Sequence, residues 1–212
     1  MFELLNYLPI LAVLLLGTMS PGPSFLLVAK TAVAISRADG LASALGMGAG
    51  GLIFALVVLL GLHSLLLAMP ALYLATKLLG GAYLLYLALQ IYKGAGEPLA
   101  SFNKNLESRG SLMKSFSASL GVQLSNPKTA LYYASVFAAL LPAYMEMSAI
   151  LSLALVIFIM EFSWYAAVAV VLSVEGPRQA YLNTKKWIDL GAAAFIFVVA
   201  AKLLFDALGS IN

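Results

Sequence analysis

Two charged side chains stand in apolar stretches where a charge is costly. Lys128 lies near the middle of Leu112–Leu141, and Glu161 lies similarly deep in Ala149–Val174, beside Trp164 and Tyr165. A charge within hydrocarbon costs at least ~2.5–3.5 kcal/mol. At ~1.5 Å per residue, Lys128 is roughly 20 Å from either end of its stretch, too deep for its side chain to snorkel out. Both groups must therefore face protein and find a partner. Lys128 is suited to pairing with the carboxylate of a ligand; its competing role is a structural ion pair with Glu161. Glu161 is the leading candidate for a proton carrier or for a partner to a ligand ammonium.

The same stretches carry the strongest backbone breakers. Pro21-Gly22-Pro23, followed by Ser24, interrupts the first apolar segment, and Asn126-Pro127-Lys128 interrupts the fourth. Proline removes a backbone donor and clashes with the preceding turn. Freed backbone groups survive at membrane depth only beside protein or a watery cavity. One proline often does no more than kink a helix. Two breaks at matching places in two halves of a chain point to a transport site between them. Gln123, Ser125 and Asn126 add neutral hydrogen-bonding groups near Lys128, either to line a polar cavity or to tie helices together.

These residues need apolar helices to hold them, and the composition supplies them. The 212 residues are 63% hydrophobic and 10% charged, with a mean hydropathy of +1.00. A soluble domain carries about 25% charged residues, so most of this surface must meet lipid or other apolar helices. About 20 apolar residues make a transmembrane helix. Six segments qualify: Leu4–Ala29, Leu41–Leu67, Ala71–Tyr92, Leu112–Leu141, Ala149–Val174 and Ile188–Leu208. The expected fold is all-α and integral to the membrane, with about six transmembrane helices of which the first and fourth are broken. Strands are not expected, because the apolar runs do not alternate and are too long for barrel strands.

Lysine and arginine mark the sides. Lys30, Arg37, Lys93, Lys104, Arg109, Lys114, Arg178, Lys185 and Lys186 all fall in alternate connections, and the other connections hold almost none. Positive charge favours the cytoplasm, which puts both termini on the non-cytoplasmic side. Trp187 and the tyrosines Tyr7, Tyr73, Tyr92, Tyr144 and Tyr181 fall near the expected interfaces. Lys93–Lys114 is the long polar stretch. The chain divides into one transmembrane domain of two inverted three-helix repeats, residues 1–92 and 112–212, joined by a cytoplasmic linker over residues 93–111. Inverted repeats of this kind are common in secondary transporters.

Other chemistries are poorly served. Cysteine is absent, which removes disulfides, thiolate metal sites and dithiol redox chemistry. The single histidine, His63, lies near the outer end of the second segment. No cofactor, metal site, catalytic residue or nucleic-acid partner is expected, and the chain does not read as an enzyme. Ala42, Gly46 and Gly50, with Gly48 and Gly51, form a small-residue face on the second segment. Such faces let helices approach closely, within the chain or in a homodimer.

Pro21-Gly22-Pro23 with Phe25-Leu26-Leu27-Val28 resembles the start of the lysine-exporter (LysE/RhtB-type) superfamily, in its threonine and homoserine exporter branch. The similarity continues through Gly46-Met47-Gly48-Ala49-Gly50, Gly80-Gly81-Ala82-Tyr83-Leu84-Leu85-Tyr86 and Gln123-Leu124-Ser125-Asn126-Pro127-Lys128-Thr129-Ala130-Leu131, then Trp164-Tyr165 and Gly191. The resemblance implies about six helices in inverted repeats, and export of amino acids or similar metabolites on the proton gradient. It implies proline motifs at Pro21-Gly22-Pro23 and Asn126-Pro127-Lys128, with the acidic position of the fifth helix at Glu161. Many members carry an acid where this chain has Ser24. Many also carry Asp at the place of Gly51 and His at that of Phe54, a departure that points either to a different substrate or to a coupling path resting on Glu161 alone.

The expectation is a proton antiporter of the bacterial inner membrane. It would export an amino acid or small zwitterionic metabolite held by Pro21, Gly22, Pro23, Ser24, Gln123, Asn126, Pro127, Lys128 and Glu161, with protons carried by Glu161. A metal-cation exporter of the same superfamily would need several intramembrane acids or histidines. A solute channel would need a ring of pore charges. A membrane-embedded enzyme would need a nucleophile with a base, or a metal cluster, at depth.

Overall fold

The computed structural model describes residues 7–20, 22–68, 72–96, 111–142 and 145–209. Pro21, Lys104, Arg109 and Tyr144 lie outside the described residues, as do the side chains of His63, Tyr73 and Arg178. The described residues form eight helices and no strand: α1 Leu8–Met19, α2 Pro23–Ala34, α3 Arg37–Ala68, α4 Leu72–Gly94, α5 Leu112–Ser125, α6 Pro127–Leu140, α7 Met147–Leu172 and α8 Glu175–Gly209.

Both proline motifs separate helices. The axes of α1 and α2 meet at 58°. Ser20 is extended and ends α1, and Pro23 opens α2 at its first position, where its missing N–H costs nothing. Between α5 and α6 a single residue, Asn126, is extended at φ −81° and ψ 106°, as steric conflict with the following proline requires. Its side chain accepts the Lys128 N–H at 3.0 Å and so caps α6.

Two helices begin earlier than their apolar runs. α3 starts at Arg37 instead of Leu41, because Ser36 accepts the Asp39 N–H at 3.1 Å and donates to the Asp39 carboxylate at 2.6 Å, a reciprocal cap. Asp39 also accepts from Ser115 at 2.9 Å, which ties the start of α3 to the start of α5. α8 starts at Glu175 instead of Ile188, so Lys185 and Lys186 are helical and not in a loop. Lys185 is buried there beside Asp189, at 2.9 Å one turn on. A charge count reads both as loop residues, whereas the pair neutralises itself inside the helix.

Among the described residues, three helices are long and apolar enough to cross a membrane: Arg37–Gly61 of α3, and α7 and α8 whole. The bent pair α1–α2 makes a fourth if taken as one span. The chain is therefore an all-helical membrane protein.

α3 runs between α5 and α7, and α4 packs along α8 and α6. The small-residue face of α3 makes the first of these contacts possible. A Cβ at Gly46 would collide with the Phe116 carbonyl of α5, and one at Gly48 would lie 3.0 Å from Phe162 of α7. The face is thus occupied within the chain. Apolar residues bury in two clusters, one around Tyr133, Phe137, Leu153 and Ile157, the other around Phe25, Met47, Tyr165 and Val168. Glu161 lies between them, one helical turn from Ile157 and one from Tyr165.

Candidate functional site

Glu161 is 1% exposed. A carboxylate so buried must be held by donors, since an uncompensated polar group in the interior is expensive. Tyr133 of α6 donates to its Oε1 at 2.7 Å, and the Gln123 amide of α5 donates to its Oε2 at 3.0 Å. The Gln123 carbonyl is engaged from the other side by the Ser24 hydroxyl of α2, at 2.8 Å. This fixes which end of the amide faces the acid, because Ser24 needs an acceptor and Glu161 a donor. Tyr165, one turn beyond Glu161, places its hydroxyl beside Ser24.

Thr18 of α1 completes the surroundings with its Oγ1 at 3.5 Å from Glu161 Oε1. Its proton is used elsewhere, in a 2.8 Å bond to the Leu14 carbonyl. Its approach to Glu161 is therefore the weaker of the two contacts that the hydroxyl makes. Each of the four half-helices, α1, α2, α5 and α6, thus sends one side chain toward this single acid.

These groups line a cavity of about 40 Å³ with Gly17, Ser20, Gly22, Pro23, Phe25, Asn126, Lys128, Thr129 and Tyr132. That volume holds a water or two; ordinary ligand pockets measure about 300–1,000 Å³. The cavity is contracted, and a larger solute needs the helices around it to part. On one side the Tyr132 ring presses on Gly17, where no Cβ would fit, and its hydroxyl donates to the Val13 carbonyl. On another side Phe25 stacks on Tyr181 of α8 with centroids 5.2 Å apart. Tyr181 is half-buried by this contact, while Trp187 and Tyr92 are exposed.

The two helix starts at the cavity differ. Gly22 caps α2 without a side chain, so the N–H groups of Ser24 and Phe25 have no acceptor within the helix. The start of α6 is closed by Asn126. The open start of α2 is the better place for an anion.

Of the residues expected from sequence, Gly22, Pro23, Ser24, Gln123, Asn126, Lys128 and Glu161 line one cavity. Pro127 breaks the helix from outside the lining, and Pro21 lies outside the described residues. Lys128 and Glu161 form no ion pair; the acid is held by neutral donors, and Lys128 lines the cavity wall. Ser125 is exposed. Sequence reasoning missed Thr18, Thr129, Tyr132 and Tyr133. The last three follow Lys128 at helical spacing along one face of α6, a pattern legible once the start of α6 is placed at Pro127.

No solved structure matches the chain. The family model of the LysE type translocators matches residues 15–207. The threonine efflux protein of Salmonella typhi is 32% identical over 196 residues, 92% of this chain and 94% of that protein. The threonine efflux protein of Escherichia coli K12 is 31% identical over the same length. The leucine efflux protein of Klebsiella pneumoniae is 29% identical over 137 residues, 64% of this chain and 63% of that one. Matching over nearly its whole length, the chain belongs to the LysE type translocators, in the branch that holds the threonine efflux proteins.

Proposed function

We propose that this protein exports small amino acids from the bacterial cytoplasm across the inner membrane by proton antiport. The observation that carries the reading is one cavity faced by a buried acid, Glu161, and a cation, Lys128, at the junction of two broken helices. A zwitterion needs both signs of charge in one site. The names of the relatives, threonine efflux and leucine efflux proteins, supply the substrate class.

The substrate carboxylate sits at the open start of α2, drawn by its free N–H groups, its dipole and Lys128. The ammonium meets Glu161. After release outside, Glu161 takes a proton in place of the ammonium, and the carrier returns.

In this reading the chain crosses the bilayer six times, as α1–α2, α3, α4, α5–α6, α7 and α8. Residues 1–92 and 112–212 form inverted repeats, the linker 93–111 is cytoplasmic and both termini are outside. Two features support it: α2 and α6 each open on a proline after an extended residue, and two long helices follow each break. Rocking of one repeat against the other opens the contracted cavity to each side in turn.

Proteoliposomes loaded with labelled threonine provide the test. A pH gradient of the right sign accelerates efflux through the wild-type protein, and a Lys128→Ala, Glu161→Gln double variant is inactive. Flux indifferent to the gradient would indicate a channel, and full activity in the double variant would remove the assigned site.

A further inference from the structure

An apolar groove of about 310 Å³ runs between α4 and α8. No residue lines both this groove and the cavity at Glu161. Ala88 of α4 and Ala193 of α8 are buried and form its floor, while Leu89, Tyr92 and Phe197 are exposed and form its walls. Small residues on the floor and large ones at the rim leave a hollow that this chain does not fill. Because α8 is long and apolar enough to cross the membrane, the groove along it opens toward lipid.

One end of the groove is charged, and a bond between the two helices fixes that end. Lys185 of α8 donates to the Gly94 carbonyl at the end of α4, at 3.1 Å. It thereby holds the neighbouring Lys93 of α4 and Lys186 of α8 at one level. Lys186 stands one turn before Leu190 of the groove and so on the same helix face, and Lys93 follows Tyr92. Both lysines are exposed, and among the described residues neither has an acid partner. The acid beside them, Asp189, is held by Lys185 at 2.9 Å. Lys185 also covers the carbonyl end of α4, which would otherwise repel an anion. Trp187 is exposed next to Lys186, and tryptophan and tyrosine favour the headgroup level. From Lys186 to Phe197 the helix rises about 16 Å, the depth of one leaflet in a hydrocarbon core of about 30 Å.

We infer that this groove holds one anionic phospholipid, its phosphate between Lys93 and Lys186 and an acyl chain along Ala88, Ala193 and Phe197. Lysines at a membrane surface attract anionic headgroups, and the hollow gives the chain apolar contact on several sides. A second copy of this chain fits the groove less well. In a two-fold dimer the same patch meets itself, which would bring Lys93 and Lys186 against their own copies at one level. The site goes beyond the transport reading and does not depend on it; in the topology proposed above, the lipid belongs to the cytoplasmic leaflet.

Trp187 reports on the site directly. In a Trp164→Phe background it is the remaining tryptophan of the chain, and its fluorescence is quenched by a brominated acyl chain in contact with it. Phosphatidylcholine vesicles carry a small fraction of either brominated phosphatidylglycerol or brominated phosphatidylcholine. The anionic lipid should associate at least about fivefold more strongly, the contribution of about one interfacial lysine. A Lys93→Gln, Lys186→Gln double variant should bring the ratio toward one. Ala194→Phe, which fills the groove from an exposed position, should lower it as well. Lys114→Gln, on α5 against α3, should leave it unchanged. Equal quenching by the two lipids in the parent protein overturns the inference. So does a preference that survives the double variant or the filled groove, or one that Lys114→Gln lowers equally, which would reflect surface charge alone. Shielding of Trp187 from both lipids, relieved as the protein is diluted in the bilayer, overturns it in favour of a second copy. The reading needs no transport, so failure of the export assay leaves it standing.

Discussion

Gly51 of α3 lies against the carboxyl group of Glu161, so closely that a Cβ there would stand 2.7 Å from the acid's Cδ and 3.0 Å from the Tyr133 hydroxyl. The backbone of α3 is thus one wall of the acid's site. Gly51→Ala should insert normally but push Glu161 out of its bonds to Tyr133 and Gln123. Overpacking of this kind costs about 1–3 kcal/mol. Threonine efflux should fall by an order of magnitude or more, and a melting curve in detergent should show a modest loss. Unchanged efflux would mean that the position of the acid is not critical.

The bond that Tyr133 donates to Glu161, at 2.7 Å, is shorter than that from Gln123, at 3.0 Å. Tyr133→Phe removes that donor and keeps the ring, including its edge contact with Phe137 at 5.8 Å. A hydrogen bond to a charged group contributes about 1.5–3 kcal/mol. The variant should therefore pack normally and export at least about tenfold more slowly. Initial rates of efflux at several gradients would measure this.

The break between α5 and α6 has two parts that substitution can separate. Asn126→Ala deletes the cap on Lys128 N–H and should cost about 1 kcal/mol, with the break retained by Pro127. Pro127→Ala relieves the conflict that keeps Asn126 extended and lets the helix run on. Efflux should be mildly reduced in the first and abolished in the second, with both proteins inserted. Equal behaviour of the two would show that the proline does not shape the site.

Phe25 and Tyr181 join α2 to α8 by a stacked pair. Such a pair contributes about 0.5–1.5 kcal/mol beyond its buried area, little enough to open during a cycle. Tyr181→Ala should weaken closure beside the cavity. Labelled threonine should then leak from vesicles without any pH gradient, faster than from vesicles with the wild-type protein. A leak-free Tyr181→Ala protein would place closure elsewhere.

The residues of the site were partly legible in sequence and partly hidden. Lys128 and Glu161 stood out because charge inside an apolar run needs a reason. The prolines stood out because they cannot continue a helix. Tyr133 and Thr18 carried no such mark, since a tyrosine or threonine in an apolar helix is ordinary. Asp189 was concealed by Lys185 and Lys186, whose charges read as the end of a loop.

By itself the sequence determined that this chain is helical, lies in a membrane, and breaks two of its apolar segments at Pro21-Gly22-Pro23 and Asn126-Pro127. These are local consequences of hydropathy and of proline's missing donor. Only the tertiary structure decided that Glu161 bonds to Tyr133 and Gln123 rather than to Lys128, that Gly51 abuts it, and that Asp189 keeps an unbonded oxygen deep in α8. Partner choice depends on how four half-helices cross, and crossing is set by packing among residues far apart in the chain, such as Gly17 with Tyr132 and Gly46 with Phe116.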